Sequence, residues 1–60
     1  MIYKFECKKE VLSNIEFQLL LDNLVITINE EGVPPVSVFL DKKDLYHLIG
    51  ALHLIQKEIK

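Results

Sequence analysis

Apolar and polar residues alternate through most of the N-terminal two thirds of the chain, a period that is typical of β-strands with two different faces. The alternation predicts strands at about residues 2–7, 15–21, 24–29 and 36–40. Between the second and third runs, Asp22 and Asn23 both tolerate left-handed backbone and predict a two-residue hairpin turn. Gly32, Pro34 and Pro35 mark the next connection, because residues before proline are driven into extended conformations.

The C-terminal third changes to a helical period. From Asp41 to Lys60 apolar residues recur every three or four positions, which predicts an amphipathic helix over about residues 42–59. Asp41 is a suitable N-cap, and Asp44 stands where the acid of a capping box lies. The apolar stripe of this helix consists of Leu45, Leu48, Ile49, Leu52, Ile55 and Ile59. Because short connections favour antiparallel pairing, we predict a single α+β domain: a meander sheet of three to four strands covered by this helix.

Length and composition indicate that a single copy of this chain buries too little apolar surface to be stable by itself. The chain has 60 residues, of which 50% are hydrophobic, and a domain of this size buries only about 60% of its unfolded surface. Such domains usually need a disulfide, a metal or association. The single cysteine, Cys7, excludes an intrachain disulfide, and with His47 and His53 it supplies too few ligands for structural zinc. We therefore expect a homodimer or a higher symmetric oligomer.

Apolar residues also occur where a monomer would be polar. One group lies on the helix face opposite the stripe and includes a glycine, which costs about 1 kcal/mol inside a helix relative to alanine. A glycine there would allow another backbone or a flat ligand to approach closely. A second group lies among polar neighbours on the second face of the sheet. The predicted oligomer interface consists of Tyr46, Gly50, His53, Leu54, Leu20, Val25 and Phe39.

The sequence contains no catalytic or cofactor motif. No serine or threonine lies in a nucleophile-elbow setting, and the two glycines are isolated. The two histidines lie about 120° apart around the helix, whereas helical metal pairs need a spacing of three or four residues. We expect no enzyme activity, no cofactor and no metal. For a small anionic ligand, the candidate binding residues are Lys42, Lys43, Tyr46, His47 and His53.

Charge restricts the partners further. The net charge is −2, and all seven basic residues are lysines. Arginine is favoured for bidentate phosphate contacts and for stacking on bases, so its absence disfavours a nucleic-acid partner. No run approaches the roughly 18 apolar residues of a membrane span. With one free thiol, these features predict a cytoplasmic location and no membrane partner.

Two of the three remaining function classes need no resemblance to a known family. The first is a non-catalytic inhibitory or accessory protein that acts as a homo-oligomer and binds a protein partner or sequesters a small ligand at its interfaces. Small accessory proteins of phages and mobile elements provide the analogy. The second is a structural subunit of a larger complex, joined by β-edge pairing or helix docking.

The third class is a single-stranded nucleic-acid-binding dimer. Several strands followed by one long helix, entered through the segment from Val38 to Leu45, resemble the single-strand-binding transcriptional cofactor family, whose dimers pair their helices and present curved sheets. The resemblance covers at most about the last thirty residues and rests on architecture. Such binding needs basic and aromatic positions on the sheet, for which Lys4, Tyr3 and Phe5 are the only partial candidates.

Overall fold

The computed structural model describes residues 1–60, which form one antiparallel sheet and one helix. The elements are β1 (Ile2–Glu6), β2 (Asn14–Leu20), β3 (Asn23–Glu30), β4 (Val33–Leu40) and α1 (Lys42–Glu58). Each strand pairs with the next, so the order across the sheet is β1-β2-β3-β4. The predicted meander followed by a C-terminal helix is confirmed.

The turn between β2 and β3 lies one residue earlier than the sequence predicts. Leu20 pairs with Asn23, so Leu21 and Asp22 form the turn. Leu21 has a φ of 56°, a left-handed conformation that costs a leucine roughly 1–2 kcal/mol. The apolar residues nevertheless keep their faces, because moving the turn by one residue shifts the register by two, and strand faces repeat every two residues.

The turn between β3 and β4 is formed by Glu31 and Gly32. Gly32 has a φ of 77°, which glycine adopts without steric cost. β4 begins directly after it, at Val33 rather than at 36, and therefore includes Pro34 and Pro35. Successive residues of a strand direct their N–H groups to opposite edges, so only one of the two missing donors faces the open edge of β4. The other is accommodated where the register between β3 and β4 shifts, between Ile28 and Glu30.

One face of the sheet is apolar across all four strands. The strand register aligns three rows on it: Tyr3, Phe17, Ile26 and Val38; Phe5, Ile15, Ile28 and Val36; and Leu19, Leu24 and Leu40. We call this surface the apolar sheet face. No row contains a charged residue, although the opposite face also includes the apolar residues Leu20, Val25 and Phe39.

The opposite face, which we call the polar sheet face, has side-chain hydrogen bonds between strands. The Asn29 amide donates to Asn14 Oδ1 over 2.8 Å and to Glu16 Oε1 over 3.1 Å. The hydroxyls of Thr27 and Ser37 lie 3.0 Å apart and share a hydrogen bond. Asn14, Glu16, Thr27 and Asn29 are half-buried on this face, which also carries Val25, the only buried residue of the chain.

The helix begins as predicted but does not cover the sheet. The Asp41 carboxylate accepts the N–H of Asp44 over 2.8 Å, which caps α1. The helix approaches only β3 and β4, none of its residues is buried, and only Leu45 and Leu48 are half-buried. Every later residue is exposed. The expectation that the apolar stripe lies on the sheet is therefore not met within one chain, because α1 leaves the sheet after its first two turns.

The chain consequently has almost no hydrophobic core. Val25, at 7% exposed, is its only buried residue. The Cα radius of gyration is 12.8 Å, whereas a compact domain of this length has a radius of about 10 Å. The open arrangement of sheet and helix, rather than a long loop or tail, accounts for this expansion.

Candidate functional site

The apolar sheet face is open to solvent. Its central residues, such as Phe17 and Ile26, are half-buried by their neighbours within the sheet. The remaining members are exposed, and these are Tyr3, Phe5, Leu19, Ile28, Val36 and Val38. An apolar surface that extends over a whole four-stranded sheet is larger than the scattered apolar residues of ordinary monomers.

A second open apolar surface lies on α1. We call it the helix stripe, and it consists of Leu45, Leu48, Ile49, Leu52, Ile55 and Ile59. Leu52 is 48% exposed and Ile55 is 54% exposed, although the amphipathic pattern directs both toward a core. One chain therefore carries two surfaces of the kind that normally bury each other.

A groove joins the two surfaces where α1 leaves the sheet. Its volume is about 610 Å³, within the range of roughly 300–1,000 Å³ that is usual for ligand sites. The apolar lining comes from Met1, Tyr3, Phe17, Leu19, Leu24 and Leu45, and Leu21 of the strained turn also contributes. The polar rim includes Asp22, Asp41 and Lys42. The groove thus suits an apolar occupant that enters along the sheet.

The sequence-predicted interface residues occupy other surfaces. Leu20 and Phe39 are exposed on the polar sheet face, whereas Val25 between them is buried and leaves little area for a partner. On α1, Tyr46 is 75% exposed, and Gly50, His53 and Leu54 are also exposed. Their role as an interface stays a prediction.

The candidate ligand residues do not converge on one pocket. The rings of Tyr46 and His47 meet edge to face, with centroids 5.6 Å apart. Lys42 lies on the groove rim, and His53 borders a shallow hollow with Ile49, Leu52 and Gln56. Lys43 is an exposed residue of the first turn of α1. Tyr46 and His47 form an aromatic pair, whereas Lys42 and His53 border different hollows.

The residues suggested by the single-strand-binding resemblance are divided between the two faces. Tyr3 and Phe5 belong to the apolar sheet face, where the Phe5 and Phe17 rings pack edge to face at 5.9 Å. Lys4 alternates onto the polar sheet face, where its Nζ lies 3.7 Å from Glu6 Oε1. Single-strand binding places bases on aromatic rings beside cations that follow the backbone. In β1 the aromatic rings and the cation instead lie on opposite faces of the sheet.

Cys7 has a local structural role. Its Sγ accepts the backbone N–H groups of Lys9 and Glu10 over 3.4 and 3.2 Å, and its own N–H donates to the Ser13 carbonyl. These bonds order the connection between β1 and β2. No group of three or more His, Cys, Asp or Glu side chains is placed to hold a metal ion. No helical segment has the length and hydrophobicity that crossing a membrane requires.

No protein-family model, no curated protein and no solved structure shows significant similarity to this chain. Its own surfaces include two open apolar ones, the apolar sheet face and the helix stripe. The sequence analysis missed the first as a site because it assigned the helix as its cover. The apolar sheet face was nevertheless indicated by the sequence, because the alternation places an apolar residue at every second position of each strand.

Gly50 distinguishes the predicted helix face from the helix stripe. A Cβ built at this position meets no atom within 4 Å, so Gly50→Ala should raise the free energy of unfolding by about 0.8–1 kcal/mol through helix propensity alone. We expect the mass in solution to stay unchanged, because Gly50 lies away from the stripe. Denaturant unfolding and light scattering test this. A fall in subunit number would instead place Gly50 at a close crossing between copies.

Proposed function

We propose that this protein is a non-catalytic binding protein, of the inhibitory or accessory kind, that works as a homo-oligomer. Self-association covers the apolar sheet face and the helix stripe. The assembled protein then uses the apolar residues left outside that contact to bind a protein partner or a small ligand.

The observation that carries the proposal is the surface of the single chain. It exposes 5553 Å², whereas a folded monomer of 7.0 kDa exposes about 4,000 Å² by the usual scaling with mass. The excess is about 1,500 Å² per chain, roughly twice the 800 Å² that each partner contributes to a standard interface. With one buried residue, the isolated chain has too little apolar burial to offset the entropy of ordering it.

The apolar residues outside these two surfaces supply the surface for an outside partner. Phe39 and Leu20 remain exposed on the polar sheet face, and Tyr46 and Leu54 remain exposed on the far side of α1. Aromatic side chains are enriched in protein interfaces relative to the rest of the surface. These four residues, which the sequence analysis assigned to self-association, are thus proposed to contact a different molecule.

Edge features of the sheet argue against assembly by strand addition, the mode considered for a structural subunit. β4 is one edge, and the adjacent Pro34 and Pro35 remove one backbone donor from its open side. β1 is the other edge, and it is the shortest strand, with Lys4 at its centre. The prolines of β4 and the short length and lysine of β1 both disfavour pairing with another strand. Packing of one copy on the face of the other is therefore the favoured mode of association.

Native mass spectrometry, supported by light scattering at micromolar concentration, tests the proposal. We expect a multiple of the 7.0 kDa chain mass, with a dimer as the smallest species. Protein isolated from its source should in addition carry a stoichiometric protein partner or a retained small ligand. A monodisperse, folded monomer would refute self-association, and binding of oligonucleotides at low salt would favour the nucleic-acid class instead.

A further inference from the structure

We infer that two copies of this chain form a two-fold dimer in which α1 of each copy lies across the apolar sheet face of the other. The inference rests on the proposed self-association and specifies its contact. The occupant of each apolar sheet face is the second half of the partner's helix stripe, beginning at Ile49. The open groove at the start of α1 is then the point at which the partner's helix meets the sheet.

The two surfaces are complementary in kind. The apolar sheet face has no charged residue in any of its three rows, and the helix stripe also has none. Within one chain they meet only near Leu45 and Leu48. A helix stripe packed on an apolar sheet is the standard two-layer arrangement of an α+β domain. The exchange between copies therefore restores the packing that the amphipathic pattern predicts.

Symmetry favours this reciprocal contact over the simpler ones. In a two-fold dimer, a surface on the first copy that meets a surface on the second is automatically repeated in the other direction. Pairing the two helices alone would leave both apolar sheet faces open, and pairing the two sheets alone would leave both helix stripes open. The reciprocal exchange covers all four surfaces with one operation.

The dimensions also agree. From Ile49 to Glu58, α1 extends for about 15 Å at 1.5 Å per residue. The outer strands of a four-stranded sheet lie about 14 Å apart, so this half of α1 is long enough to cross β1 to β4. Burying the excess of about 1,500 Å² on each chain would give a total near 3,000 Å², in the range of obligate homodimers.

Paired cysteine variants test the arrangement in the full chain. In a Cys7→Ser background, Val38→Cys marks the apolar sheet face and Leu52→Cys marks the helix stripe, and a mass tag distinguishes the two proteins. They are refolded together and treated with a short bis-maleimide. We expect the major product to join one chain of each kind, at twice the 7.0 kDa chain mass, and each variant alone to give little product.

The matched control replaces Val38→Cys by Ser37→Cys, the adjacent position on the polar sheet face. That mixture should give little mixed product. A second pair, Val36→Cys with Ile55→Cys, repeats the test on the same two surfaces if the first pair does not fold. Native mass spectrometry of the mixtures before cross-linking gives the number of subunits. Association is thus measured separately from the contact geometry that the cross-links report.

Two outcomes would overturn the inference without touching the proposed function. Efficient linking of Leu52→Cys to itself would show that the helices pair, and a dimer mass with equal linking at Ser37→Cys would show that another surface is buried. A folded monomer in every mixture would refute both the inference and the proposed self-association. Preferential linking of Val38→Cys to Leu52→Cys supports both.

Discussion

Dilution should unfold this protein. If the apolar sheet face and helix stripe are buried only between copies, folding and association are one transition. The fraction of unfolded chains then rises with every dilution. Each tenfold dilution should lower the apparent free energy of unfolding by about 1.4 kcal/mol per dimer. For a domain of this size, the midpoint of thermal unfolding should fall by on the order of 5 °C for each tenfold dilution.

Circular dichroism measured over a wide range of protein concentrations checks this expectation. The helical signal of α1 should disappear in the same range in which sedimentation shows dissociation. The control is the Val38→Cys and Leu52→Cys dimer after cross-linking, whose unfolding midpoint should no longer depend on concentration. A midpoint that is constant for the unlinked protein would mean that the single chain is stable by itself.

The second large effect is expected from one charge on the apolar sheet face. Val38 is 47% exposed on the edge strand β4, and exposed substitutions usually change stability by no more than about 0.5 kcal/mol. Under a partner's helix, the carboxylate of Val38→Asp would instead be buried without a counter-charge, at an effective penalty of several kcal/mol for each ion. We therefore expect Val38→Asp to abolish the dimer and, with it, most of the folded structure.

Ser37→Asp is the matched control for this substitution. It adds the same charge one residue earlier in β4, but on the polar sheet face, where a carboxylate still accepts the Thr27 hydroxyl that faces Ser37. We expect its mass and its circular dichroism to remain those of the parent protein. Equal behaviour of the two variants would argue that neither sheet face is covered.

The elements of this fold are local and could be predicted from the sequence. Strand faces follow from alternation, which depends only on the geometry of neighbouring residues, and the start of α1 follows from the Asp41 cap and the 3.6-residue period. Gly32 marks a connection in the sequence, and it lies in the turn between β3 and β4. None of these features requires contacts between distant parts of the chain.

Features that depend on pairing between strands were harder to predict. A leucine such as Leu21 disfavours left-handed backbone, so local preference pointed to Asp22 and Asn23 for the turn. The ladder that joins Leu19 to Leu24 places Leu21 in the turn nevertheless. Likewise, Pro34 and Pro35 predicted a connection, yet β4 includes them because it is an edge strand whose register with β3 shifts beside them.

Alternation and the helical period are local properties, and they specify an apolar sheet face and an apolar helix stripe. How far the two pack on each other depends on the path of the chain, and within one copy the contact is limited to the first two turns of α1. The direction of α1 is set at Asp41, where an extended residue with ψ of −178° is the only link between β4 and the helix. So short a link leaves Leu45 and Leu48 near the end of the sheet and carries Leu52 and Ile55 away from it, because no loop is present to turn the helix back.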